Sequence, residues 1–187
     1  MRLFVAGKTA VLAAAFALAP NPPEAGLLAR EPTIAGVRAF YAPGQGVGSI
    51  DARLIASAEQ SIDMAAYVLT DRAIVEALGR AAMRGAHVRI YLDGEQISRA
   101  QESLSRLSVT PNVELRHKRR SFEAMHLKSF VVDRRILRSG SANFSASGED
   151  WQDNDLIVID SPALAAGFEE NFERMWARAD NSRIGAR

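Results

Sequence analysis

Apolar and polar positions along this chain switch repeatedly between two periods. Val37-Arg-Ala-Phe-Tyr41 alternates and stops at Pro43-Gly44, which predicts a first strand and turn. Ile50, Leu54, Ile55 and Ala58 recur at helical spacing and predict a helix ending near Gln60. Ile62 to Leu69 is an apolar run of strand length. Asp71 is placed to cap a helix carrying Ile74, Val75, Leu78 and Ala82, which should stop at Arg84-Gly85. His87 to Leu92 predicts the next strand, Ser98 to Leu107 a helix, and Val113 to Leu115 a short strand. A strand over Met125 to Val132 is answered by Ile136 to Arg138 across Asp133-Arg134-Arg135, as a hairpin. Leu156 to Ile159 is a last buried strand, and Ala163 to Ala179 an amphipathic helix with Phe168, Phe172, Met175 and Trp176 on its apolar side. Strands alternating with helices argue for an α/β architecture, expected here as a mixed, largely parallel sheet flanked by helices.

The N-terminus departs from this rhythm. Arg2 and Lys8 precede an uncharged run, Val11 to Ala19, with small residues at Ala15, Ala17 and Ala19. The run is shorter than the roughly 20 residues that span a bilayer. It predicts a cleaved export signal, hence a periplasmic or secreted protein. Asn21 to Gly26 reads as a linker, so residues 1–25 are assigned to signal and linker and 26–187 to a single domain.

Composition narrows the chemistry. The chain has 187 residues, no cysteine, 48% hydrophobic and 24% charged residues. That is long enough for one domain with a real core, and it excludes disulfides, thiol nucleophiles and zinc-thiolate sites. Net charge is +1, so overall electrostatics says little about partners. Its distribution says more: Arg116-His-Lys118-Arg119-Arg120 precedes the Met125–Val132 strand, and Arg134, Arg135 and Arg138 follow Asp133. Such a run is either a solvated loop or a patch facing a polyanion or an anionic surface.

The chemistry concentrates in His126-Leu-Lys128-Ser-Phe-Val-Val-Asp133 and Gly140-Ser141-Ala-Asn143. On a strand, His126 and Lys128 would share a face. A hairpin near Arg134 would return Gly140, Ser141 and Asn143 to that face, with Gly140 allowing close backbone approach. An imidazole able to act as nucleophile, acid or base then meets one ammonium and two neutral donors. Lysine and asparagine can hold the oxygens of a phosphoryl group as charge develops. Asp133 reads as a cap of the hairpin, and His87 and His117 as structural histidines. Phe122, Phe144 and Trp151 are candidates for stacking a base or, equally, core residues.

HLKSFVVD followed by GSAN resembles the HKD motif of the phospholipase D superfamily. FYAPG, SIDMAAYVLTD, RGAHVRIYLD and QDNDLIVID resemble the same family, so the likeness runs from Val37 to Trp176. It is nearest to the small bacterial single-motif endonucleases. Small members often carry a glutamate before the last strand that orients the histidine; here Asn154 holds that position, with Asp155 and Glu149 as alternatives.

The resemblance implies a homodimer whose two motifs meet at one active site, since the superfamily uses two motifs and this chain has one. It implies attack of His126 on phosphorus, a phosphohistidine, and a second His126 as acid and base. Lys128 and Asn143 would stabilise the phosphoryl oxygens with Ser141 in support, and neither metal nor other cofactor is expected. Nucleic acid is the first expected substrate and phospholipid the second. A third reading is an inactive module binding nucleic acid or membrane.

Overall fold

The computed structural model describes residues 36–119 and 123–185. The expected export signal and linker, with Arg120 and Phe122, lie outside the described residues. In chain order the elements are β1 (Val37–Ala42), α1 (Val47–Ala56), β2 (Ser61–Ala66), α2 (Arg72–Met83), β3 (His87–Leu92) and α3 (Gln101–Leu107). There follow β4 (Val113–His117), β5 (Lys128–Val132), β6 (Ile136–Gly140), β7 (Asn154–Asp160), α4 (Pro162–Trp176) and β8 (Ser182–Ile184). One sheet takes all eight strands in the order β1-β7-β6-β5-β2-β3-β4-β8.

The sheet is mixed, as expected, but its parallel part is confined to β2-β3-β4. The other neighbours are antiparallel, which corrects the largely parallel arrangement read from the alternation. Connection length decides this. Parallel neighbours need a crossover of about a dozen residues or more, which α2 and α3 supply. Between β5 and β6 only Asp133, Arg134 and Arg135 intervene, and Asp133 and Arg134 take φ of 51° and 56°. Arg135 N–H donates to Val132 O at 3.0 Å, closing a type I′ turn.

Helices cover both faces. On one face, α1, α2 and α3 bury Ile55, Ile74, Leu78, Leu104 and Leu107 against Ile62, Met64, Val88, Ile90, Phe130 and Val132. Each large aliphatic side chain buried in this way contributes about 1.5–3 kcal/mol. The Asp71 carboxylate accepts from Ile74 N–H at 3.0 Å, the cap that the sequence predicted. On the other face, Phe172, Met175 and Trp176 of α4 pack on Ala65, Tyr91 and Met125. The strand β8, three residues with two exposed, carries no periodic apolar signal and was not predicted.

Asp133 braces the fold by a longer reach than a hairpin cap. Its carboxylate accepts from the backbone N–H of Glu59, Gln60 and Ser61 at 3.0, 2.8 and 2.9 Å. It therefore closes the α1–β2 turn, at the opposite end of β5 from Lys128. Asp133→Ala is expected to cost about 2–3 kcal/mol, since it strands three donors of a charge-assisted set. Urea unfolding measures this; turnover per folded molecule should stay unchanged. A midpoint equal to the parent's would contradict the brace.

Candidate active site

The parallel strands β2, β3 and β4 end at the same end of the sheet where β5 and β7 begin and β6 ends. Pairing puts Ala66 opposite Lys128, Gly140 opposite Leu156 and Ala42 opposite Asn154. Chains leaving these ends converge there, the usual place for a site in an open α/β sheet. His126 lies two residues before β5, in the chain leading into it, rather than on the predicted strand. Two backbone contacts hold that approach: Met125 N–H donates to Asp93 Oδ2 and Tyr67 N–H to Leu127 O, each at 2.8 Å. Asp93 is buried, directly after β3.

The His126 ring is exposed, whereas Lys128 is buried beneath it. Lys128 Nζ stands 3.1 Å from both ring nitrogens and donates to His126 O at 2.8 Å. Tyr67 forms the wall, its ring centroid 4.5 Å from that of His126 and 4.8 Å from Lys128 Nζ. Gln96 Nε2 donates to the Tyr67 hydroxyl at 3.1 Å. Burial lowers the pKa of the Lys128 ammonium from its ordinary value. Of the residues read from the motif, His126 and Lys128 stand side by side, with the Tyr67 ring beside them.

Gly140 to Asn143 forms a turn locked onto β7. Gly140 takes φ 147°, and a Cβ there would meet Asp155 O at 2.4 Å, so the glycine is needed for conformation and for approach. Ser141 N–H donates to Asp155 O at 3.1 Å and to Asp155 Oδ1 at 2.9 Å. The Ser141 hydroxyl gives its one proton to Asn154 Oδ1 at 3.0 Å and accepts from Asp155 N–H at 2.9 Å. Ser141 thus braces the turn against β7. Hydrogen bonds from Ser141 hold the Asp155 carboxyl below its usual range. Asn143 is half-buried, and its Oδ1 is buried without a hydrogen-bond partner.

The three candidates for orienting His126 do other work. Asn154 accepts from Ser141 and donates from Nδ2 to Gly148 O at 2.8 Å. Asp155 holds the turn. Glu149, in a π turn at Ser147–Trp151, is 1% exposed, and its pKa is pushed up to about 9. Burial is the main cause, followed by the charges of Asp51 and Asp71, with Arg138 opposing. The ring nitrogens of His126 meet Lys128 within this chain.

The basic flanks read from the sequence are largely dispersed. Arg138 is fully buried and paired with Asp51, so it belongs to no surface patch. Arg134 and Arg135 lie at the opposite end of β5, where Arg135 pairs with Asp160 at 2.6 Å. Arg116 donates to Trp176 O at 2.8 Å, and its guanidinium carbon sits 4.4 Å from the Trp176 ring centroid. Lys118 is tied to Glu123 O, and Arg119 is exposed. His87 pairs with Glu114 at 2.9 Å and the His117 ring meets Lys118 O at 3.0 Å, both structural roles. Among the stacking candidates, Phe144 is core and Trp151 is 74% exposed.

Tyr67, Asp93, Asp51 and Arg138 are the site residues that sequence reasoning missed. Tyr67 follows β2 and Asp93 follows β3, so strand ends at the ligand side of a parallel sheet were the available signal. Among the described residues, no group of three or more His, Asp or Glu could hold a metal ion. No described helix is long and apolar enough to cross a membrane.

A family model described as cardiolipin synthase, PLD-like domain, matches residues 52–176. A phospholipase D of Rickettsia felis is 31% identical over 140 residues, 73% of this chain and 67% of the relative. A mitochondrial cardiolipin hydrolase of Xenopus tropicalis is 23% identical over 127 residues, 68% of this chain and 60% of the relative. Among solved structures, a phospholipase D family member, Nuc from Salmonella typhimurium, superposes with TM-score 0.74 at 27% identity, covering 80% of this chain and 98% of that one.

Proposed function

The chain belongs to the phospholipase D-like family and is a phosphodiesterase of that superfamily; from this premise we propose that it cuts nucleic acid through a phosphohistidine, without a metal ion. The observation that carries the reading is an exposed imidazole whose two nitrogens stand 3.1 Å from a buried ammonium. A ring nitrogen of His126 attacks phosphorus, forming the P–N bond as the P–O bond to the leaving group breaks. His126 of a second copy protonates the leaving oxygen. Deprotonated by that transfer, it then takes a proton from water, whose oxygen attacks phosphorus and breaks the P–N bond. Lys128, with Asn143, offsets the charge developing on the phosphoryl oxygens.

An open, exposed rim suits the backbone of a polymer, and Arg119 adds a cation near the end of β4. We also propose a shared-site homodimer and export by the N-terminal apolar run. A phospholipid substrate is the second reading. It is favoured by exposed Leu127 next to His126 and by Trp151, three residues before Asn154.

A substrate panel decides between them. Plasmid DNA, single-stranded RNA, and vesicles of phosphatidylcholine or cardiolipin are each incubated with the protein, with and without a chelator. Polynucleotide cleavage is expected, falling steeply with salt because phosphate contacts release counterions. Phosphatidate release without polynucleotide cleavage would establish the lipid reading instead. Activity lost only in chelator would refute the metal-free step.

A further inference from the structure

Arg138 touches both halves of the motif with one guanidinium. Nη1 donates to Lys128 O at 2.6 Å and to Ala142 O at 3.3 Å, and Nη2 also reaches Ala142 O at 3.3 Å. These carbonyls belong to the peptide just after the Lys128 Cα and the peptide just before the Asn143 Cα. Nε meets both Asp51 carboxylate oxygens at 2.9 Å, and Nη2 meets Oδ2. Arg138 and Asp51 are both 0% exposed. The Phe144 ring packs on the guanidinium, centroid to Cζ 4.6 Å.

A buried ion pair is a poor device for stability alone. Desolvation consumes most of the Coulombic gain, and apolar replacements of similar volume are often neutral or stabilising. What arginine supplies is direction, because its donors lie in a rigid plane. One edge of that plane, Nε and Nη2, grips Asp51, and Nη1 faces the two carbonyls of the motif. We infer that Arg138, held by Asp51, is a positioning residue for phosphoryl transfer, fixing the distance between Lys128 and Asn143. This rests on the phosphodiester reading above. The sequence hid it, since an arginine four residues after Arg134 looks like surface.

Two variants of the full chain test the inference. Arg138→Lys keeps a cation for Asp51 but cannot span both carbonyls. The double variant Arg138→Met/Asp51→Leu removes both charges and preserves volume. Turnover is followed with bis(p-nitrophenyl) phosphate, and vanadate binding by calorimetry reports on the phosphoryl cradle independently of turnover. Both variants are expected to melt cooperatively, with kcat down about 10- to 100-fold, as for displacements of the order of an ångström. KM should move by no more than about threefold, and vanadate affinity should fall in proportion to kcat. A folded double variant with kcat and vanadate affinity within about twofold of the parent overturns the inference. Should the double variant not fold, Arg138→Lys decides on the same criteria. If neither folds, the couple serves the fold and the positioning role is refuted. A parent that neither turns over the diester nor binds vanadate refutes the phosphodiester reading itself, a failure distinct from variants that match an active parent.

Discussion

His126→Ala is expected to lower diester turnover by on the order of 10⁴-fold or more, the scale seen when a nucleophile is removed. The melting temperature should stay within about 2 °C of the parent's, since an exposed ring leaves no cavity when truncated. The ring's neighbours are Tyr67 and Lys128, both held by other contacts. The same variant tests assembly. If two copies share one site, each His126 has a different role in a turnover and neither can be spared. Mixing equal amounts of parent and variant, with subunit exchange, should leave about a quarter of the parental activity, because only parent–parent dimers work. Half the activity at equal mixing would show that each chain works alone. Full activity of the single variant would place the nucleophile elsewhere.

Much of this arrangement was legible in the sequence because it is local. Asp71 capping Ile74, the strand at His87–Leu92 and the hairpin around Arg134 follow from spacing and turn chemistry. His126, Lys128, Gly140 and Asn143 stood out as a set because their offsets match one motif, and His126 and Lys128 do stand side by side. What escaped depends on distant register. The Asp133 carboxylate reaches Glu59, 74 residues away, and nothing near Asp133 announces that partner. Arg138 is charged in a strand of otherwise modest polarity, and only its position opposite Phe130 turns it inward, toward Asp51. Arg116 and Lys118 read as part of a basic run, solvated loop or patch, yet Trp176 and Glu123 hold them. The hydrogen bond from the Ser141 hydroxyl to Asn154 likewise depends on the pairing of β6 with β7.

Glu149→Gln is expected to abolish a strong fall of stability with pH. The folded-state pKa of Glu149 is pushed up to about 9 from an ordinary 4.5, chiefly by burial. Below pH 4.5 both folded and unfolded chains hold the proton, and the contribution is fully present. Between the two values only the unfolded chain releases it, so the folded state binds more protons and stability declines as pH rises. The slope is about 1.4 kcal/mol per unit, or about 4 kcal/mol between pH 5 and pH 8. Glutamine has the same shape and no proton to lose. Denaturant unfolding at pH 5, 6.5 and 8 should therefore give similar parent and variant stabilities at pH 5. By pH 8 the variant should be ahead by several kcal/mol. Parallel profiles would mean that Glu149 is already ionised when folded. The location makes the proton matter for the site as well. The charges of Asp51 and Arg138 are both felt at Glu149, and Gly48 makes room for its Oε2, which a Cβ at that position would strike. An ionised Glu149 would compete with Asp51 for Arg138, whose Nη1 holds the carbonyl of Lys128. Kept neutral, it leaves the guanidinium to Asp51 and the carbonyl of Lys128.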